Sequence, residues 1–421
     1  MRVAIAALGT RGDVVPYVVL GRGLRAAGHE VLVSTMQGYQ GLVEDASLSF
    51  HALPGDPSDV FGAGRIDVSR WRPLHHLRVV HAAVHALVSQ TDPAPLLDAW
   101  AGRELVVFTG STTFADPVAR RLGARRAMVV MTPAVATGAF AHPVLTPGLA
   151  AGAHGNLASW LVGERLARQS FKEPLKPAAR LAWRLPPSAL GARRRDATWP
   201  PVPLLHAYSA EVVARPPDWP RHVTVTGWLA PEPSREQLPE RVQRFLAGGE
   251  APIYVGFGSM PVPAGDRDRV ASLLLAALRR TGQRAIVCGS ALADAPVLLA
   301  ADGVLTAPEL PHERLFERVR AVVHHGGSGT VGAGLRAGLP TLVTPFVFDQ
   351  FFWGQRVRRL GAGPAPLPFR SLSSRRLAGR LAQLASGRYD AAAARLGERI
   401  RAHDSVACAV RELEGIATRT D

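Results

Sequence analysis

Apolar residues follow two rhythms along this chain. Short apolar runs at 3–8, 30–35, 105–109, 128–131, 253–257, 285–288, 321–323 and 341–344 are bounded by glycine, proline or polar residues. Runs of that length and composition read as strands, and strands apolar on both faces belong to a buried parallel sheet. Between them, apolar positions recur every three or four residues over roughly 14–27, 270–280, 330–337, 375–384, 391–403 and 406–416, which reads as helix. Gly28 and Gly338 close two of these helices, and Pro340 ends the turn after the second. Strand, helix and parallel strand in succession make right-handed crossovers, so the pattern predicts an α/β chain with doubly wound sheets.

The rhythm occurs twice, in parts of similar size. Between them, residues 215–240 are rich in proline and polar groups, from Arg215-Pro216-Pro217-Asp218-Trp219-Pro220 to Pro231, Pro233 and Pro239. The expected organisation is a first Rossmann-like domain over 1–214, a linker over 215–240 and a second Rossmann-like domain over 241–400. A helix within 401–421 is expected to return to the first domain.

In doubly wound sheets the loops at the carboxyl ends of the strands line the crevice. Three such loops carry candidate chemistry. His324-His325-Gly326-Gly327-Ser328-Gly329-Thr330 joins a strand to a helix. A glycine-rich loop opening a helix presents free amides and a positive dipole end to an anion, so a phosphate is the expected ligand. Gly258-Ser259 ends another strand of that half, and Asp349-Gln350 follows the next strand, suiting a polyhydroxylated group beside the phosphate. In the first half the loop is Gly9-Thr10-Arg11-Gly12-Asp13. Asp13 there is either a helix N-cap or a base aimed into the cleft; the phosphate loop opposite favours the base. Arg11 is expected to hold the Asp13 carboxyl low. Asp266-Arg267-Asp268 could be taken for a metal motif, but its place before a helix favours capping, and His324 and His325 have no partner ligands at metal spacing.

Composition narrows the classes. The formal charge is +15, yet all but two of the 49 basic residues are arginine, and no aromatic residues alternate with them as a single-strand binder requires. No nucleic-acid partner is expected. Two cysteines, Cys288 and Cys408, support neither a disulfide framework nor a metal quartet. The opening apolar run is too short for a signal peptide and no apolar segment is long enough to span a bilayer, so a cytoplasmic setting is expected. Residues 127–163 contain no Asp, Glu, Lys or Arg. They read either as ordinary packing or as a pocket for a lipophilic molecule. Arg165, Arg168, Lys172, Lys176, Arg180 and Arg184 then recur at helical spacing, a solvated basic face or a weak peripheral contact with an anionic membrane surface.

Taken together, the motifs Gly9–Val14 with Pro16, Phe257-Gly258-Ser259-Met260, Pro311-His312-Glu313, His324–Thr330 and the run from Pro345 through Asp349-Gln350-Phe351-Phe352-Trp353-Gly354 resemble one family. The chain is similar to inverting, GT-B-fold glycosyltransferases of the UDP-glycosyltransferase superfamily, in the branch of sterol glucosyltransferases and actinomycete antibiotic glycosyltransferases. That resemblance implies two Rossmann-like domains facing across a cleft, the first for acceptor and the second for nucleotide sugar. It implies hexosyl or deoxyhexosyl transfer from a UDP- or dTDP-sugar to a lipophilic natural product or a sterol, with no metal and no cofactor. Asp13 would be the catalytic base. Thr10, Arg11 and Gly12 would line the donor side of the first loop. Ser259, His325, Gly327, Ser328, Gly329 and Thr330 would hold the diphosphate, His312 would lie near the nucleobase, and Asp349 and Gln350 would bind sugar hydroxyls. Thr10 and Ser328 stand where Ser and Ala are commoner, and Phe348 is bulkier than usual.

Other classes fit less well. A sugar-nucleotide epimerase of the same architecture has no use for the Asp13 loop with the Asp-Gln pair. A phosphorylase needs a lysine for pyridoxal phosphate in its second half, and this chain has none there. A non-catalytic helper needs none of Asp13, His325, Asp349 or Gln350.

Overall fold

The computed structural model describes residues 1–56, 93–145, 152–170, 202–231, 237–258, 260, 262 and 264–418. Its first sheet holds seven strands, β1 (Arg2–Ala6), β2 (Glu30–Met36), β3 (Ser49–Leu53), β4 (Leu105–Phe108), β5 (Arg125–Val130), β6 (Leu204–His206) and β7 (Val223–Val225), in the order β3-β2-β1-β4-β5-β6-β7. The second holds β8 (Ile253–Gly256), β9 (Ala285–Cys288), β10 (Val304–Ala307), β11 (Ala321–His324) and β12 (Thr341–Val343), in the order β10-β9-β8-β11-β12. Every pairing is parallel.

The central strands are buried along their whole length: β4, β8, β9 and β11 have no exposed position. Helices on both sheet faces exclude water, which is why these runs lack the alternation of a half-exposed strand. β3, β6, β7 and β10 escape the sequence pattern. They lie toward the outer parts of their sheets and are short or polar, as in Ser-Phe-His-Ala-Leu and Val-Thr-Val. The segment 215–240 therefore contributes β7 to the first sheet before the chain crosses to the second half.

Three packed clusters matter for the site. One fills the first half and includes Ala409, Val410, Leu413 and Ile416 of the last helix, Ser405–Thr418. His29 Nε2 meets Glu414 at 2.9 Å and the Thr224 hydroxyl donates to Glu412 at 3.2 Å, fixing that helix on the first half. A second cluster fills the second half. The third joins them: Phe140, Trp160, Tyr208 and Trp219 pack with Val331, Phe352 and Trp353. The Arg356 guanidinium lies 5.0 Å from the ring centres of both Phe140 and Phe352, one from each half, a cation–π contact that bridges the boundary.

The two switch points of strand order position the chemistry. In the first sheet the order reverses between β1 and β4, and in the second between β8 and β11. Adjacent loops leave in opposite directions there and open a crevice at the strand ends. The loops after β1, β8 and β11 are the three marked by their sequence.

Candidate active site

Thr10 caps the helix Arg11–Ala26, and Asp13 occupies its third position. Asp13 is thus inside the first turn rather than at the cap. Its Oδ2 accepts the Thr10 amide at 2.8 Å and the Thr10 hydroxyl at 2.9 Å, while its own amide donates to the Thr10 carbonyl at 2.8 Å. This closes the loop as a capping box with Asp in place of the usual Glu. Gly9 has φ +143°, and a Cβ there would stand 2.5 Å from Asp13 Oδ2, so only glycine lets the carboxylate fold back over the loop. Burial pushes the Asp13 carboxyl up, the two Thr10 bonds pull it back, and the nearby Asp349 pushes it up again. The net direction is upward. This corrects the expectation for Arg11, whose guanidinium instead pairs with Glu309 across the cleft at 3.0 Å and acts on Glu313 and Tyr39. Gly12 is exposed beside it.

The neighbouring loop after β4 braces this one. Ser111 donates to the Leu8 carbonyl at 2.7 Å and Thr112 to the Ala6 carbonyl at 2.9 Å. Tyr17 ties the helix to the Val129 carbonyl at 2.8 Å. Ser111 and Thr112 stand in the small polar run Thr109-Gly110-Ser111-Thr112-Thr113, which gives no sign of its partners, so these braces appear only once β1 and β4 are neighbours.

In the second half, the helix Ser328–Arg336 starts from Gly327 as N-cap. Gly326 has φ +98°, and a Cβ there would strike Val343 at 2.6 Å. Gly329 is exposed, with open space where a Cβ would stand, and Thr330 is half-buried at the helix start. His325 is buried, its Nδ1 has no hydrogen-bond partner, and burial together with His312 pushes its pKa down to about 4. It is a neutral imidazole at neutral pH, able to donate or accept but not to supply charge. His312 opens the short helix His312–Leu315. It stacks on Phe316 at 4.7 Å, and its Nε2 lies 2.9 Å from the Tyr254 hydroxyl. Ser259 lies outside the described residues, as do Lys172, Lys176, Arg180 and Arg184 of the basic run.

Two side chains are committed to the scaffold. Ser328 Oγ accepts the Trp228 indole N–H at 3.0 Å and donates to the Met131 carbonyl at 3.0 Å. Gln350 is buried, and its Oε1 accepts the amides of Phe346 at 2.8 Å and Val347 at 3.1 Å while Nε2 points to Met260 Sδ at 3.4 Å. Whatever Gln350 offers a ligand, its carbonyl oxygen shapes the loop that carries Asp349. Phe348, within that loop, has φ +53°, a left-handed backbone that costs a non-glycine residue roughly 1–2 kcal/mol.

Asp349 stands at the N-cap of the helix Gln350–Arg359. Its Oδ2 accepts the Trp353 indole N–H at 2.8 Å and the Thr132 hydroxyl at 2.5 Å. Burial pushes this carboxyl up and those two bonds pull it back. Thr132, Trp228, Trp353 and Glu309 thus belong to the site although the sequence did not single them out as site residues. The Asp266-Arg267-Asp268 motif lies within the helix Ala264–Thr281, with Asp266 in its first turn and paired to Arg269 at 2.7 Å. No cluster able to hold a metal occurs among the described residues. No helix among them is long and apolar enough to cross a membrane.

Two parallel-sheet α/β halves, with Asp13 at the switch point of one and the glycine-rich helix start at that of the other, have the GT-B architecture of sugar transferases. Comparison with known proteins agrees. Residues 3–91 match the glycosyltransferase family 28 N-terminal domain, and residues 272–416 match the erythromycin biosynthesis protein CIII-like C-terminal domain. O-mycaminosyltylonolide 6-deoxyallosyltransferase of Streptomyces fradiae is 31% identical over 100% of this chain and 99% of its own length. A sterol 3-beta-glucosyltransferase of Arabidopsis thaliana, UGT80B1, is 29% identical over 97% of this chain and 67% of its own length. The chain spans only 28% of the sterol 3-beta-glucosyltransferase of Yarrowia lipolytica, at 28% identity over 98% of this chain. Among solved structures, the glycosyltransferase VinC in complex with dTDP aligns over 100% of both chains with a TM-score of 0.66 and 20% identity. The chain belongs to the UDP-glycosyltransferase superfamily, in the branch that holds sterol glucosyltransferases and actinomycete antibiotic glycosyltransferases.

Proposed function

We propose that the protein is an inverting glycosyltransferase that moves a hexose or deoxyhexose from a UDP- or dTDP-sugar to a hydroxyl of a lipophilic natural product. The observation that carries this reading is the placement of Asp13, a half-buried carboxylate at a switch-point loop, across the cleft from Asp349 and the Gly326–Thr330 turn. In this reading Asp13 takes the acceptor hydroxyl proton as the oxygen attacks the anomeric carbon, and the nucleoside diphosphate leaves on the opposite face. The amides and dipole of the turn at Gly327–Thr330 stabilise the leaving diphosphate, with neutral His325 as a hydrogen-bonding group. Asp349 binds sugar hydroxyls, and Arg11 borders the donor. The acceptor lies against the uncharged stretch that begins at β5. No metal or cofactor enters the scheme. The Streptomyces relative, matched over nearly its entire length, supports a natural-product acceptor.

The second reading, a sterol or membrane-lipid glucosyltransferase using UDP-glucose, draws on the plant relatives and on Leu157, Leu161 and Val162, which are exposed along one side of the helix Gly152–Ser170. Incubation of the protein and its Asp13→Asn variant with UDP- and dTDP-sugars and pooled sterol and polyketide acceptors, read by mass spectrometry, tests both. A one-sugar mass gain lost in the variant supports transfer and names the acceptor class. Conversion of the donor to an isomer of equal mass overturns the transferase reading in favour of an epimerase.

A further inference from the structure

The two halves of the cleft are fastened by two consecutive residues just beyond β5. Met131 offers its carbonyl to the Ser328 hydroxyl, and Thr132 donates its hydroxyl to Asp349 Oδ2. Their partners stand at the heads of two different helices of the second half, Ser328–Arg336 and Gln350–Arg359.

The two bonds on Asp349 Oδ2 differ in kind. The Trp353 indole lies one turn further along the same helix, so its bond is independent of the first half. The Thr132 bond spans 217 positions in sequence and exists only while the halves are together. An aspartate carboxyl turns easily about its last torsion, so its orientation must come from its neighbours. Two donors on one oxygen supply it, and neither occupies Oδ1.

We propose that Thr132 is a positioning residue for the donor sugar: it completes the orientation of the Asp349 carboxylate only when the two halves are closed, so that Oδ1 recognises sugar hydroxyls in the closed form. This rests on the donor reading given above. It separates the two parts of the donor. The bare nucleoside diphosphate meets the second half alone and does not need Thr132. The sugar meets Asp349 and does. The loop that starts at Met131 belongs to the half assigned to the acceptor, so the same bond ties acceptor-side geometry to sugar selection.

The test uses the full chain and calorimetric binding of UDP, dTDP, UDP-glucose and dTDP-glucose. Thr132→Val is expected to bind the bare nucleotides within about twofold of wild type and the matching sugar nucleotide roughly ten- to a hundredfold more weakly, the usual cost of losing a hydrogen bond to a charged group. Thr132→Ser restores the hydroxyl and is expected to recover most of the sugar affinity. Thr132→Val combined with Asp349→Ala is expected to bind no worse than Asp349→Ala alone, because the alanine already removes the carboxylate that Thr132 orients. Should the valine variant not fold, Thr132→Ala carries the same expectation without adding bulk at Cγ. Undiminished sugar-nucleotide affinity in Thr132→Val, equal weakening of bare and sugar nucleotides, or additive effects with Asp349→Ala would each overturn the positioning role alone. A wild-type protein that binds no sugar nucleotide would overturn the donor reading and this role together.

Discussion

Thr10 donates twice to one oxygen of Asp13, through its amide at 2.8 Å and its hydroxyl at 2.9 Å. The arrangement holds the carboxylate against the start of its own helix while leaving Oδ1 outside both bonds. It also sets two tendencies against each other. Burial and Asp349 favour the protonated acid, and Thr10 favours the carboxylate; burial is the largest of these influences. A base pushed upward takes a proton more readily than an ordinary aspartate, at the cost of being ionised over a narrower pH range.

Replacing Asp13 by Asn should cut transfer roughly a hundred- to ten-thousandfold while donor binding stays within about twofold. Steady-state rates with saturating donor, alongside calorimetry, check both halves of that statement. A variant that retained more than a tenth of the wild-type rate would show that Asp13 is not the base.

The same substitution should make the protein more stable at neutral pH. A carboxyl raised in the folded state contributes stability that is present below its unfolded value of about 3.8 and is lost as pH rises through the higher folded value. The asparagine of the Asp13→Asn variant keeps an acceptor for Thr10 and has no charge to bury. Urea midpoints of wild type and Asp13→Asn should therefore differ at pH 7 and converge toward pH 3. For catalysis the sign is opposite: activity falls as pH drops through the raised value, so the acid limb of kcat/KM lies above the ordinary aspartate range.

Buried histidines set the acid limit of the fold. Burial pushes His142, His312 and His325 down to about 4 and His206 to about 3. In the unfolded chain each would bind a proton near 6.5, so the unfolded state binds more protons and stability falls as pH drops from 6.5 toward 4. A urea midpoint unchanged between pH 7 and 4.5 would contradict this. His206 is the site to probe: it is fully buried and stacked on Trp219 at 4.6 Å.

Ser328→Ala should destabilise the chain by about 1–3 kcal/mol, because it leaves the Trp228 indole N–H and the Met131 carbonyl unpaired in a buried interface. Trp228→Phe combined with Ser328→Ala should cost less than the sum of the two single changes. Strict additivity in urea denaturation would show that the three groups do not act as one unit.

Arg11→Ala should change stability by less than about 1 kcal/mol, since both Arg11 and Glu309 are mostly exposed and water screens their pairing. Whatever the pair contributes should shrink in high salt, which denaturation at low and high sodium chloride would reveal.

Much of the architecture was legible without coordinates. The apolar runs at 3–8, 105–109, 253–257, 285–288, 321–323 and 341–344 all fall on strands, because a strand buried on both faces leaves an unbroken mark. Helix starts were less legible. The helix predicted from about 270 begins at Ala264, and the one predicted from 14 begins at Arg11, because first turns are polar and carry no apolar rhythm. β3, β6, β7 and β10 left little mark for a related reason, lying where the sheets meet solvent or end after three or four residues.

The site divides along the same line. Sequence alone determined which loops to look at, and they lie at the switch points of the two sheets, since a glycine-rich turn before a helix and a carboxylate at a strand end are local features held within a few residues. Tertiary structure alone decided what each side chain does there. Ser328 and Gln350 were expected to face a ligand, yet their polar atoms are largely spent on Met131, Trp228 and the 346–347 backbone. Arg11 pairs with Glu309 rather than steadying Asp13, and Thr132, 217 positions from its partner, orients Asp349. Hydrogen bonds between side chains distant in sequence depend on how two sheets are set against each other, and no local pattern of residues encodes that.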